Sequence, residues 1–179
     1  VPEVVLDHPE VVTQLHRDFV HAGSDVVEAF TYYAHREKLR QIGKESLLEP
    51  MNRQALQIAK EVAKTTNTLL AGNICNTNTY IEGDAESHKF VRAMYDEQIG
   101  WAIDSGVDYI IAETIDFLGE AKIALEAIKE TNLPAVVTLA IHRTGVTRDH
   151  YSPEKACKQL EDAGADVVGL NCTRGPDTM

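Results

Sequence analysis

The sequence lacks several features that would assign a function at once, and each absence excludes a class of protein. No apolar run approaches the roughly 20 residues that cross a bilayer. The opening VPEVVLDHPE has neither the basic region nor the apolar core of a signal peptide. Three cysteines, at unpatterned positions 75, 157 and 172, form no disulfide framework. We therefore expect no membrane partner, and the reducing cytoplasm as the simplest location.

Positive charge is also scarce. The chain has 17 Lys and Arg residues against 28 Asp and Glu, which gives a formal net charge of −11. No basic stripe is interleaved with aromatics, so nucleic acid is not expected as a partner. The phosphate-binding patterns GxGxxG and GxxxxGK[ST] are missing, and so are the zinc patterns HExxH and HxH.

What is present is a repeating helix-then-strand rhythm in one domain of 179 residues. The segments AGSDVV, SGVDYI and AGADVV each place a Gly, then an Asp, before a short apolar run. Gly suits the position just past a helix end, and strands that are apolar on both faces belong to a parallel sheet. The predicted helices are 9–21, 52–65, 87–104, 119–130 and 153–163, and the predicted strands are 25–31, 68–74, 108–113, 134–141 and 166–171.

Two parallel architectures fit this rhythm, and the position of the reactive residues favours one of them. A doubly wound sheet would usually carry a Gly-rich loop after an early strand, whereas a (β/α)8 barrel keeps its chemistry at the carboxyl ends of its strands. The residues expected at those ends are Tyr32 and Tyr33, Cys75 and Asn76, Glu113 and Thr114, His142, and Asn171 and Cys172. We predict a barrel, which is incomplete here because a full one needs eight strands and about 250 residues.

Glu113 and Cys172 are the sharpest candidates for chemistry. Glu113 closes a strand expected to be buried, where a carboxylate needs a partner, so it could hold a substrate ammonium group. The alternative is that the Glu113 side chain points into solvent at the end of the strand. Cys172 leaves a strand beside Asn171 and could be a metal ligand or nucleophile, but free Cys is also a common core residue.

The remaining candidates are weaker. Tyr32 and Tyr33 could stack on a cationic ligand, or one ring could pack in the core while the other covers the rim. His142 is a minor candidate near the expected barrel mouth. Cys157 is interpreted as core packing, and the acidic residues on the helices as solvated faces.

Four segments, taken in order, resemble the homocysteine S-methyltransferase family, and most closely its betaine–homocysteine branch. They are HPEVVTQLHRDFVHAGSDVV, AFTYYAHREKL, IIAET and AGADVVGLNC, and the similarity covers essentially the whole chain. The resemblance implies a (β/α)8 barrel of which residues 1–179 are the central part, without the first strand and the last strands. The family's opening Asp-Gly-Gly and its later Gly-Gly-Cys-Cys are both absent from this sequence.

The resemblance also implies zinc-dependent methyl transfer to homocysteine. Cys172 matches the first of three zinc thiolates, and Glu113 matches the family Glu that holds the homocysteine amino group. Tyr33 matches an aromatic residue of the donor pocket, and Asn171 is expected to contact substrate. The partners implied are homocysteine and a methyl donor, and self-association into a homo-oligomer is left open.

Two departures from the betaine branch leave the donor open. Thr114 stands where a second Tyr is expected, and the donor-side Trp would fall before Val1. The other donors considered are S-methylmethionine, S-adenosylmethionine and methyltetrahydrofolate. Two alternative functions also remain, namely a metal-free barrel lyase or aldolase that uses Glu113, and a non-catalytic barrel fragment.

Overall fold

The computed structural model describes residues 3–142 and 145–175 and confirms the alternation of helices and parallel strands. The helices are α1 (Val4–Asp7), α2 (Pro9–His21), α3 (Arg36–Gln41), α4 (Leu48–Thr66), α5 (Ala85–Ser105), α6 (Leu118–Lys129) and α7 (Pro153–Asp162), with a 3-10 turn at Glu45–Leu47. The strands are β1 (Val26–Glu28), β2 (Leu69–Cys75), β3 (Tyr109–Ile115), β4 (Ala135–Leu139) and β5 (Val167–Leu170). The five predicted helices and five predicted strands are all found, whereas α1, α3 and the 3-10 turn were not predicted.

The strands form one sheet in the order β1-β2-β3-β4-β5, which is also their order along the chain. In the parallel pair β1–β2, Val26 lies opposite Leu69, and in the parallel pair β4–β5, Leu139 lies opposite Leu170. A doubly wound sheet reverses its strand order at a switch point, and this sheet has no such reversal among its described strands. The topology therefore favours the barrel architecture.

The repeated Gly-x-Asp segments have a structural reason. Gly106 and Gly164 follow helices with positive φ angles of 75° and 98°, as expected for helix ends. Asp108 then accepts a hydrogen bond from the backbone N–H of Leu70 at 2.7 Å, and Asp166 accepts one from Ala135 at 2.8 Å. Each aspartate thus ties the start of its own strand to the start of the neighbouring strand.

The chain divides into two compact units. One takes the chain up to Ile74 together with Glu97–Ile110, and the other takes Cys75–Asp96 and the chain from Ile111 onward. None of the helices within residues 3–142 and 145–175 combines the length and apolar character needed to cross a bilayer.

The first unit has an apolar core with a close backbone approach at Gly72. The core is formed by Val5, Val12, Leu39, Leu48, Met51, Ala55 and Ile58. A Cβ atom placed on Gly72 of β2 would lie 2.9 Å from Cβ of Ala102. Glycine is therefore required where β2 meets α5, and the side chains on either side of Gly72 along the strand point to the opposite face.

In the second unit, α6 and α7 each bury one apolar face. Leu118, Leu125 and Ile128 of α6 and Leu160 of α7 are at most 2% exposed. Helix α7 begins as its sequence predicts, because Ser152 accepts a hydrogen bond from the N–H of Lys155 and Pro153 occupies the first turn. Cys157 was expected in the core, but the structure leaves it half-buried between the buried Ala156 and the exposed face of the helix.

Candidate active site

Glu113, Thr114 and Asn171 form one cluster at the carboxyl ends of β3 and β5. The side-chain oxygen of Asn171 accepts from the backbone N–H of Thr114 at 3.1 Å, and its amide nitrogen donates to Thr114 Oγ1 at 2.8 Å. The same nitrogen lies 3.5 Å from Oε2 of Glu113, at the outer limit of a hydrogen bond. The structure therefore brings together two of the predicted site residues, with Thr114 between them.

The backbone is strained at several predicted site residues. Thr114 has a φ of 59°, Cys172 a φ of 63° and Tyr33 a φ of 59°. A positive φ is uncommon outside glycine and is a genuine outlier for a β-branched residue such as Thr114. Such strain concentrates at functional sites, where the surrounding structure enforces it. At Thr114 the two hydrogen bonds with Asn171, one accepted and one donated by its amide, hold this conformation.

Cys172 directly follows Asn171, and its thiol side chain is exposed. The next two residues hold this segment against the end of β4. Thr173 Oγ1 donates to the carbonyl of Ile141 at 3.1 Å, and the Arg174 guanidinium donates to the carbonyls of Ile141 and His142 at 2.6 and 3.1 Å. The thiol is therefore carried on an anchored turn.

A metal ion would find one suitable ligand in this part of the molecule. Across residues 3–142 and 145–175, no group of three His, Cys, Asp or Glu side chains is arranged to hold a metal ion. An exposed thiol at the carboxyl end of a barrel strand nevertheless fits one position of a thiolate metal site, because thiolates are soft ligands that zinc accepts. The described residues thus supply one thiolate ligand for such a site.

Asp116, His142 and Arg148 form a second polar cluster, of which sequence reasoning identified only His142. Asp116 is buried, with its side chain 8% exposed. Its Oδ1 lies 2.5 Å from Nε2 of His142, and its Oδ2 forms an ion pair with Nε of Arg148 at 3.2 Å. The position of Asp116, at the end of β3, was a signal in the sequence that could have identified it.

Glu120 corrects the interpretation that helix acids line solvated faces. It is 1% exposed, and its Oε1 accepts from Thr77 N–H at 2.8 Å, Thr77 Oγ1 at 2.6 Å and Tyr95 Oη at 3.2 Å. Burial raises the pKa of this carboxyl above its ordinary value, and the three donors oppose that shift only in part. Glu120 therefore joins the loop after β2 to the start of α6.

In the first unit, Tyr32 and Tyr33 line a pocket of about 700 Å³. Their ring centroids lie 4.5 Å apart, and both side chains are half-buried. The expectation that one ring packs in the core is therefore wrong. The ammonium of Lys38 lies 5.1 Å from the centre of the Tyr33 ring, within the range of a cation–π contact.

The same unit holds a carboxylate among strand residues. Thr31 Oγ1 donates to the carbonyl of Asn73 at 2.9 Å, and Asn73 Nδ2 donates to Oε1 of Glu28 at 2.5 Å. Asn73 and Gly72 are neighbours on β2, so the Asn73 side chain points to the face opposite α5. Sequence reasoning missed Glu28 because it was treated as an ordinary strand residue. Cys75, expected at the carboxyl end of its strand, is the first residue of the second unit and is buried at 1% exposure.

Comparison with known proteins finds that the chain is similar to homocysteine S-methyltransferases. The family model described as homocysteine S-methyltransferase matches residues 2–179. The chain is 36% identical over 177 residues to S-methylmethionine–homocysteine S-methyltransferase BHMT2 of Pongo abelii, covering 99% of this chain and 47% of that protein. It is 37% identical over 181 residues to betaine–homocysteine S-methyltransferase 1 of Xenopus laevis, covering 99% of this chain and 44% of that protein. The chain thus spans just under half the length of these curated relatives.

Solved structures support the fold. The metallated form of the homocysteine methyltransferase MmuM from Escherichia coli superimposes with a TM-score of 0.83 at 17% identity, covering 99% of this chain and 67% of that one. Its apo form gives a TM-score of 0.78 at 15% identity, covering 100% and 67%. At this identity the likeness concerns the fold, and it confirms the predicted α/β barrel class, here with five strand–helix units.

Proposed function

We propose a function from one premise: the chain belongs to the homocysteine S-methyltransferase family. In the proposal, residues 1–179 form the central part of a homocysteine-binding barrel domain. The complete protein transfers a methyl group from an onium-type or folate donor to the thiolate of homocysteine, which gives methionine. Relatives named for methyl transfer to homocysteine from S-methylmethionine and from betaine support this reaction class.

The observation that carries the proposal is the cluster of Glu113, Thr114 and Asn171. Glu113 is half-buried at the carboxyl end of β3, where a carboxylate can act as a counter-ion for the ammonium group of an amino acid. Asn171 spans from Thr114 to Glu113 and therefore fixes the carboxylate relative to the strand end. In the proposal, Glu113 holds the homocysteine amino group and Asn171 keeps Glu113 in position while also lining the substrate site.

Cys172 is proposed as one thiolate ligand of a zinc ion. Its exposure and its anchored turn support this role, and a relative with a solved metallated form exists. Bound zinc would keep the homocysteine sulfur in its thiolate form, which is the nucleophilic form of a thiol. The other ligands of such a site would lie outside the described residues.

Tyr33 is proposed to line the methyl-donor site. Its ring borders the pocket of the first unit, but one face already lies near the ammonium of Lys38. A second cation over that ring would be repelled by Lys38. This contact supports a donor that places no positive charge over the Tyr33 ring.

The role of Glu113 is tested by the Glu113→Gln variant of the complete protein, assayed for methionine formation. Loss of the ammonium counter-ion should raise the KM for homocysteine at least about tenfold, because a charge-assisted contact of this kind contributes about 1.5–3 kcal/mol. Glu126→Gln, an exposed position on α6, serves as the matched control and should leave the KM unchanged. An unchanged KM in Glu113→Gln would remove the proposed role.

The metal role is tested by the metal content of purified protein. Cys172→Ala should lose bound zinc, whereas Cys157→Ala, at a half-buried helix position, should keep it. Full zinc occupancy in Cys172→Ala would contradict the assignment. The family match does not support the alternative of a metal-free lyase, because the matching family is a methyltransferase family. The cytoplasmic location and self-association stay predictions.

A further inference from the structure

Two adjoining pockets in the second unit have no function in the reaction proposed above. One has a volume of about 490 Å³ and the other about 670 Å³, and both are lined by Val146 and His150. They lie beside the segment that follows β4, and their linings do not include Glu113, Asn171 or Cys172. Since they share two lining residues, an elongated ligand could occupy both.

Arg148 lines the first pocket with part of its guanidinium already fixed. Its Nε forms the ion pair with Asp116 at 3.2 Å, and its Cζ lies 5.9 Å from the centre of the Phe117 ring. Among the described residues no hydrogen bond engages Nη1 or Nη2. A guanidinium that is held at Nε and supported on one face presents the remaining two nitrogens as a fork, the geometry that binds a carboxylate bidentately.

Histidines add further donors to this pocket. His142 is held through Nε2 by the same Asp116 carboxylate, which leaves Nδ1 as its second polar atom. The His142 side chain is 41% exposed and lines the pocket, and His150 lines both pockets. Protonated imidazoles donate from both nitrogens and would add positive charge next to Arg148.

Lysines supply positive charge in the second pocket. Lys155 and Lys158 both line it, but the ammonium of Lys158 is already paired with Asp162 and lies 3.9 Å from Glu161. Lys155 makes no ion pair within the described part of the chain. Glu154 also lines this pocket and is the one carboxylate among its described lining residues, so it opposes an anionic ligand.

The carboxylates near the first pocket are already satisfied. Asp116 is shared by His142 and Arg148. Asp149 accepts from the backbone N–H groups of Leu118 and Gly119, each at 3.0 Å, and from Thr147 Oγ1 at 2.6 Å. Asp116 is thus paired with a cation and the Asp149 oxygens are hydrogen-bonded, whereas the guanidinium fork and Lys155 are available, in a protein whose net charge is −11.

We propose that the two pockets form one binding site for an elongated ligand that carries two carboxylate groups. One carboxylate pairs with the Arg148 fork and the histidines, and the other pairs with Lys155. Where the proposed methyl transfer also holds, a ligand of this site that is also the methyl donor would carry two carboxylates. Of the donors considered, methyltetrahydrofolate carries two carboxylates, whereas betaine, S-methylmethionine and S-adenosylmethionine carry one.

The test is calorimetric titration of the protein with α,ω-dicarboxylates of graded length, such as glutarate, pimelate and azelate. At least one should bind at least about tenfold more tightly than the monocarboxylate of the same chain length. Binding should weaken at higher salt, because charge pairing is screened.

Variants locate the site. Arg148→Gln and Lys155→Gln should each weaken dicarboxylate binding at least about fivefold, Glu154→Gln should tighten it, and Lys60→Gln, at an exposed position on α4, should leave it unchanged. Circular dichroism checks that each variant is folded, and Arg148→Lys, which keeps the charge without the fork, should bind weakly. Equal affinity for mono- and dicarboxylates, or binding unaffected by Arg148→Gln and Lys155→Gln, would overturn the proposal. These readouts need no methyl transfer, so the site and the proposed function can fail separately.

Discussion

Replacing Glu120 by alanine should destabilise the protein strongly, although the residue is an acid on a helix. Its Oε1 is the acceptor for the Thr77 N–H, the Thr77 hydroxyl and the Tyr95 hydroxyl, and both partners are 1% exposed. An unsatisfied buried donor costs about 1–3 kcal/mol. Relief from burying the carboxylate offsets part of this loss, so we expect the free energy of unfolding to fall by about 3 kcal/mol.

The measurement is urea unfolding followed by far-UV circular dichroism, with two comparison variants. Glu120→Gln keeps an oxygen acceptor at the same place and should lose less than about 1 kcal/mol. Glu126→Ala, on the exposed face of the same helix, should leave the unfolding midpoint unchanged. If Glu120→Ala lowers the free energy of unfolding no more than Glu126→Ala does, with the same denaturant dependence, the hydrogen bonds to Glu120 do not stabilise the fold. That result would refute the reasoning.

The same residue predicts a dependence on pH. Burial raises the pKa of Glu120 in the folded state above its ordinary value of 4.5. The folded protein therefore keeps this proton to a higher pH than the unfolded chain does, and stability falls as the pH rises from about 4.5 through the raised value. Glu120→Gln lacks this proton, so the stability of the wild type relative to Glu120→Gln should be greater at pH 4.5 than at pH 7.5.

Three further substitutions have expected outcomes. Asp149→Ala removes the acceptor for the first amides of α6 and should lower the free energy of unfolding by about 1 kcal/mol, measured by urea titration. Gly119→Ala places a Cβ 1.9 Å from the Tyr80 hydroxyl, so it should lower the melting temperature and change the near-UV signal of that tyrosine. Asn171→Ala breaks two hydrogen bonds with Thr114. It should lower kcat/KM for homocysteine clearly and have only a small effect on the melting temperature. An unchanged kcat/KM would contradict the positioning role of Asn171.

The fold was predictable because local signals and long-range packing agree. Ser152 and Pro153 begin α7 as their residue types favour, and glycines mark helix ends at Gly106 and Gly164. The short helix α3 was missed because its six residues, REKLRQ, carry too few apolar positions to show a period. Its amino end is instead fixed by the His35 side chain, which accepts from the N–H of Lys38, a cap that residue preferences do not anticipate.

The site was predictable in its residue types but not in its pairings. The position of Glu113 and Asn171 at strand ends follows from the parallel alternation, because carboxyl ends of parallel strands share one edge. The partners of Asp116 and Glu120 could not be predicted, since they come from segments 25 to 43 residues away in sequence. A single sequence shows that an acid is present at such a position, but burial and partners decide whether it is solvated, paired or protonated.

The three cysteines differ in solvent exposure, which makes selective chemical labelling possible. Cys75 is enclosed, Cys157 is half-buried with its pKa raised by burial, and Cys172 is open to solvent. A maleimide added at limiting concentration should consequently modify Cys172 first, because its side chain is exposed whereas the other two are not. The native chain therefore carries its own attachment point for a fluorophore at the end of β5, and zinc bound at Cys172 in the complete protein should protect that thiol from the reagent.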